Sequence, residues 1–335
     1  AEDLHMDAKI TKKRLGLLLS YDWLKILGIC VAAVLLWSLL FTTMATRATN
    51  GQRFEMYLYP GVRFANSVDV SSLHERDKND VLSYDVLDVS SVSLESNTMS
   101  TIMAAHFAAG QGDVLFAADI EPTRDDNGNI TAYNGLDSFI GSYYGNAVWL
   151  GADGQPWESP NGDKKANYFA DCEAYLNRFY NGDWKNGEPD EDAMRANFDE
   201  RTEGDKRYKN DAQRAIGREQ EVARIQNLRN AYAKVSEWLT SGSADSPISI
   251  KTTELLVDLN EDGEPETVEW QYAFDLSNID NLTDFISYQT EDGTGTKEGL
   301  CMVILNTGSS GEEDLRYEPI TFLEYLVKTY APNKY

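Results

Sequence analysis

The 335-residue chain carries 55 acidic against 30 basic side chains, a formal charge of −25 at neutral pH. Such a surface repels phosphate backbones, so no nucleic-acid partner is expected. Its three histidines (His5, His74 and His106) and three cysteines fall at no spacing that would build a zinc site.

Residues 1–22 read as a cytoplasmic N-terminal tail, with residues 1–5, ahead of Met6, set aside from fold reasoning. Ile26–Met44 then runs for 19 residues without a charge, enough in a helix to cross a bilayer's hydrocarbon core. Lys12, Lys13, Arg14 and Lys25 precede it and only Arg47 follows closely. This bias places the N-terminus in the cytoplasm. Residues 23–46 are thus expected to span the plasma membrane once, leaving 47–335 as an extracellular domain. A cleaved signal peptide is the competing reading. Its apolar region is usually shorter, and Arg47 interrupts the small residues Ala45–Ala48.

Beyond the apolar run, Arg53–Tyr59 alternates, with Phe54, Met56 and Leu58 on one face, and reads as a strand ended by Pro60-Gly61. Val81–Val89 is the second strand candidate. Met99, Ile102, Met103, His106 and Phe107 share one helical stripe, which stops at Gly110 and Gly112. Asp113–Asp119 is an apolar run bounded by acids, the pattern of a strand buried on both faces. Strand, crossover, strand, helix, strand opens an α/β fold: an open mixed sheet with flanking helices, preceded by one transmembrane helix.

The phrase Ala108-Ala109-Gly110-Gln111-Gly112-Asp113-Val114-Leu115-Phe116 resembles the first lobe of extracellular solute-binding proteins of ABC importers. There, a helix ending in such a phrase feeds the third strand of the N-terminal lobe. The resemblance covers roughly residues 53–145, and the chain as a whole is similar to single-pass envelope proteins of Gram-positive bacteria. It implies a solute-binding-protein-like core and, as a partner, an ABC transporter permease or another envelope protein.

Residues 141–166 are rich in Gly, Asn, Asp and Pro and read as a long surface loop carrying Trp149 and Trp157. A helical insertion over about 167–240 follows. Tyr168 to Phe179 forms one amphipathic helix, and about Tyr208 to Leu239 forms a long one whose apolar stripe docks on its own domain or on a partner helix. Ser241–Pro247 links to strands at Leu255–Leu259 and Thr267–Phe274, the latter with Val268, Trp270, Tyr272 and Phe274 on one side. A helix over Ile279–Ile286, a buried strand at Leu300–Leu305 and a terminal helix from Pro319 complete the reading. Arg53–Tyr59, Val81–Val89, Asp113–Ala118 and Leu300–Leu305 are predicted neighbours in one sheet.

Ligands of open α/β sheets sit at the carboxyl ends of strands. Those positions are Tyr59 with Gly61, Ser90 with Ser91, and Asp119 with Glu121, with Trp149 as an aromatic platform. Asp258, Asn260, Asp262, the Glu264 carbonyl and Glu266 match the ligand spacing of a calcium loop around Gly263, between strands rather than helices. Asp262-Gly263 is equally a type I′ hairpin signal, so calcium ligation and a plain turn both stand. Asn306–Gly311 lacks a phosphate-loop lysine and is followed by Glu312, Glu313 and Asp314. It reads as a connection. Cys172 and Cys301 read as buried small hydrophobes, and His106 as a core residue. With no nucleophile elbow and no His-Glu-x-x-His, a non-enzymatic membrane-anchored binding module is expected. The alternative is a structural or adaptor protein beside a transporter, with no small-molecule ligand of its own.

Overall fold

The computed structural model describes residues 12, 16, 23–44, 48–74, 82–124, 130–132, 134–158, 164–241, 243, 245–258, 263–290, 292–306 and 315–332. The chain divides into two units, Ala1–Arg47 and Ala48–Tyr335. The first holds α1 (Trp23–Met44), about 33 Å long at 1.5 Å per residue. Leu24, Ile29, Val34 and Trp37 lie on different sides of α1 and are all exposed. A helix of this length, apolar all round, suits a signal anchor or a signal peptide.

The second unit is built on a six-stranded sheet in the order β3-β1-β4-β13-β10-β9. β1 (Arg53–Leu58) is followed by the short β2 (Val62–Phe64), then β3 (Asp88–Ser93). β3 pairs parallel to β1, with Arg53 opposite Asp88 and Leu58 opposite Ser93. The helix α2 (Met99–Ala108) carries the chain over to β4 (Val114–Ala118), parallel to β1 on its other side. All five β4 residues are buried, as its unbroken apolar run predicts.

A small hairpin, β5 (Thr123–Arg124) with β6 (Ile130–Ala132), leads to α3 (Gly135–Tyr143). Residues 141–166 are not one long loop: α3 reaches Tyr143, and β7 (Trp157–Glu158) pairs with β8 (Lys164–Lys165). The helical insertion is α4 (Tyr168–Asn177), α5 (Glu191–Arg201) and α6 (Asp211–Thr240). β9 (Ser249–Val257) and β10 (Glu266–Asp275) follow as an antiparallel pair. The helix expected over Ile279–Ile286 is absent. A 3-10 turn at Leu282–Asp284 gives way to β11 (Ile286–Gln289), which pairs with β2 and with β12 (Gly295–Thr296) in a separate three-stranded sheet. Its few apolar positions fit an edge pairing as well as a helical stripe. β13 (Leu300–Ile304) inserts antiparallel between β4 and β10, with Met302 opposite Phe116. α7 (Glu318–Tyr330) comes last.

Helices cover both faces. Phe54, Met56, Phe116, Met302 and Phe274 pack with α4, α6 and α7 on one side. Tyr57, Leu115, Ala117, Val303, Trp270 and Tyr272 pack with α2 and α3 on the other. Phe274 therefore does not share a face with Trp270 and Tyr272. The register between β10 and β9 shifts between Trp270 and Ala273, and a bulge of one residue turns the side chains beyond it over. The second strand also lies later than predicted, at Asp88–Ser93, because Ser83, Tyr84 and Asp85 leave strand geometry for a buried turn. Otherwise the predicted neighbours share one sheet.

That turn enters a buried ionic network. Arg201 pairs with Asp85 and with Glu221 (2.9 Å), Arg207 with Asp85 (2.7 Å), and Arg224 with Glu221 (2.8 Å). Asn197 and the Tyr84 hydroxyl also donate to Glu221 (3.0 and 2.9 Å). Burial opposes charge on Glu221, but Arg224 and Arg201 outweigh it and hold the carboxyl down at about 2. The long helix α6 buries Val222, Ile225, Leu228, Tyr232 and Val235 against its own domain, so its apolar stripe is used internally. Cys172 and Cys301 are buried free thiols.

Candidate functional site

The carboxyl end of β4 delivers Asp119 to the rim of the sheet. The Asp119 amide donates to the Gly299 carbonyl (2.7 Å). Gly299 has φ +69°, and a Cβ there would stand 2.2 Å from the Asp119 carbonyl oxygen, so only glycine lets the two loops close. Asn134 caps α3 by accepting from the Asp137 amide (3.1 Å) and donates its own Nδ2 to Asp119 Oδ1 (2.5 Å). Lys251, from β9 across the sheet, pairs with Asp119 Oδ2. Three distant segments thus converge on one carboxylate.

Tyr59 stands beside this group, its ring against Gly135, where a Cβ would approach to 2.9 Å. Burial raises the Tyr59 phenol, with a hydrogen bond from Ser138 opposing it. Burial also raises the Asp137 carboxyl, helped by the negative charge of Asp119 and resisted by Lys251. Lys251 is raised chiefly by its hydrogen bond to Asp119. The rim offers an amide, an ammonium and several carboxylates, a set suited to hydroxyl or ammonium groups on a ligand.

The other predicted ligand positions are dispersed. Gly61 (φ +92°) turns the chain from β1 to β2, and a Cβ there would strike the Tyr288 ring at 2.5 Å. Ser90 and Ser91 lie opposite Glu55 and Met56, in the middle of the edge strand, because β3 begins later than expected. Trp149 donates its indole N–H to the Gln155 carbonyl (2.9 Å) and packs edge-on against Tyr272 at 5.3 Å. Its segment bridges to Leu305, next to Asp113, and so lies at the opposite end of the parallel strands from Asp119. Glu121 follows Asp119 by two residues and contributes negative charge at Asp137.

Two polar groups escaped sequence reasoning, both at that opposite end. The Tyr57 hydroxyl lies 2.5 Å from Glu55 Oε2 and 2.7 Å from His106 Nδ1, and Asp113 accepts the Glu55 amide (2.8 Å). Gly112 (φ +104°) makes room for the Tyr57 ring, which a Cβ would meet at 2.2 Å. The signal was present in the alternation of β1, whose second face carries Glu55 and Tyr57. The other group is Lys165, with its ammonium 4.9 Å from the Tyr272 ring centre and 3.1 Å from the Ala147 carbonyl. Burial lowers it to about 8. Nothing in its local sequence announces that nest.

The acidic loop joins β9 to β10. Val257 pairs with Glu266, so eight residues separate the paired strand ends. Asp258 Oδ2 accepts the Gly263 amide (2.8 Å), and Gly263 has φ +88°. Asn260 and Asp262 lie outside the described residues. Among the described residues, no three His, Cys, Asp or Glu side chains form a group able to hold a metal ion.

No protein-family model, no curated protein and no solved structure matches this chain.

Proposed function

We propose that this chain is a membrane-anchored binding module facing the outside of the cell, with its ligand held at the rim formed by Asp119, Asn134, Lys251 and Tyr59. The observation that carries this reading is the convergence of β4, α3 and β9 on Asp119 at the carboxyl end of the parallel strands, where open α/β sheets place their ligands. The helix α2 feeding the third parallel strand through Gly110 and Gly112 supports the solute-binding-like core. The uncleaved anchor is supported by the length of α1 and by the basic residues before it. The eight-residue loop, longer than a tight turn needs, supports calcium at Asp258, Asn260, Asp262, Glu264 and Glu266.

The reading is tested by a thermal-shift screen of the full chain in lipid nanodiscs against amino acids, peptides and sugars. A ligand that binds only the folded state raises its melting temperature. The shift is expected to vanish in Asp119→Asn and Lys251→Ala. A panel without any shift, or a shift that both variants keep, would leave the rim as structure alone. The adaptor reading predicts the former outcome together with co-purification of a membrane partner.

A further inference from the structure

On the face of the sheet away from α3, α6 and α7 run side by side and leave a groove. One part is a cleft of about 580 Å³ bordered by Lys234, Trp238, Ser241, Asp245 and Lys328. A second, of about 260 Å³, is bordered by Asn227, Asn230, Thr321, Glu324 and Tyr325, and by the same Lys328. Both border Lys328, so they lie next to each other along the groove. From Asn227 to Ser241 along α6 is about 20 Å at 1.5 Å per residue, long enough for a chain-like ligand.

The lining decides the class of that ligand. Lys234 pairs with Glu237 (3.0 Å) and Lys328 with Glu324, so both ammonium groups are already matched within the protein. An anion meets Glu237, Asp245 and Glu324, and a cation meets the two lysines; neither finds a field of one sign. The walls also carry hydroxyls and carboxamides, which an apolar ligand would leave unsatisfied. Asn227 and Asn230 are exposed, and each offers a carboxamide that can both donate and accept. Half-buried Tyr325 supplies aromatic surface, whereas Trp238 is buried and only floors the cleft. Paired charges, neutral bidentate amides, hydroxyls and the Tyr325 ring along one groove match a neutral, hydroxyl-rich chain.

We propose that the groove between α6 and α7 binds a neutral oligosaccharide. The site is independent of the rim at Asp119, which lies against α3 on the other face. The test is calorimetric titration of the full chain in lipid nanodiscs, avoiding sugar-headed detergents, with maltotetraose, cellotetraose and chitotetraose. Saturable binding of at least one is expected. Asn227→Ala and Asn230→Ala, both surface changes, should each weaken it roughly tenfold, the worth of a hydrogen bond or two, with an unchanged melting temperature. Lys251→Ala should leave it intact, which separates this site from the rim. The proposal is overturned if none of the three binds, if binding ignores both asparagine variants, or if an anionic oligosaccharide or a peptide binds better than all three.

Discussion

The Glu318 carboxylate accepts a 2.7 Å hydrogen bond from the backbone amide of Ser83, 235 positions earlier in the chain. The bond ties the first turn of α7 to the turn that precedes β3. Both ends are buried. Burial pushes the Glu318 carboxyl up to about 7, against the pull of Arg224 and the Ser83 amide.

The sign of the resulting pH dependence follows from that direction. The folded chain holds the Glu318 proton more tightly than the unfolded chain, so this group's contribution is complete at pH values below about 4.5 and is lost as pH rises to about 7. The loss is at most about 1.4 kcal/mol per pH unit. Glu318→Gln removes the proton but keeps an acceptor for Ser83. Its melting temperature relative to the natural chain should therefore climb between pH 5 and 8. A constant difference across that range would show that the folded chain does not hold the Glu318 proton above the ordinary carboxyl range.

Arg201 bridges Asp85 and Glu221 at the centre of the ionic network. Arg201→Ala takes one of two arginines from each of two buried carboxylates, leaving Asp85 to Arg207 and Glu221 to Arg224, and should cost about 3 kcal/mol. Exposed Lys234, paired with Glu237 on the surface, should cost under about 1 kcal/mol when changed to Ala. Urea denaturation of the two variants would show the contrast, and equal losses would mean that the network carries no special weight.

Millimolar calcium should raise the melting temperature, because carboxylates crowded into one loop repel one another until a cation neutralises them. Extracellular loops of this type bind at about 10⁻⁴–10⁻³ M. Asp258→Ala should abolish the rise. An identical response in both proteins would reduce the loop to an acidic connection.

External protease applied to intact cells should digest residues beyond 48 and spare a membrane-bound fragment containing α1. Full protection of the chain would reverse the topology, and a mature N-terminus near Thr46–Thr49 would make α1 a cleaved signal.

Much of the framework was readable from pattern alone. β4 and β13 are apolar at every position, and such runs have few alternatives to a strand covered on both faces. The long helix was recognisable from its stripe, within a few residues at its start. What escaped reading depended on partners far away in the chain. Ser83-Tyr84-Asp85 looks like strand sequence until Arg201, Arg207 and Glu318 are brought beside it. The apolar run of β4 locates Asp119 at a carboxyl end, but only the crossing of α3 and β9 brings Asn134 and Lys251 to it. The bulge in β10 has no glycine to announce it, so strict alternation assigns Phe274 to the wrong face.

The position of β13 has a consequence for how the protein is made. During synthesis β4 emerges with its apolar residues complete, but the strand that pairs with its free edge follows only after about 180 more residues. Until Ile304 has emerged, β4 and β10 each present an open strand edge, a template for pairing with the wrong chain. Closure must then span that long separation, which favours slow folding. A nascent chain stalled before β13 should therefore be sensitive to protease and dependent on chaperones acting where the domain emerges.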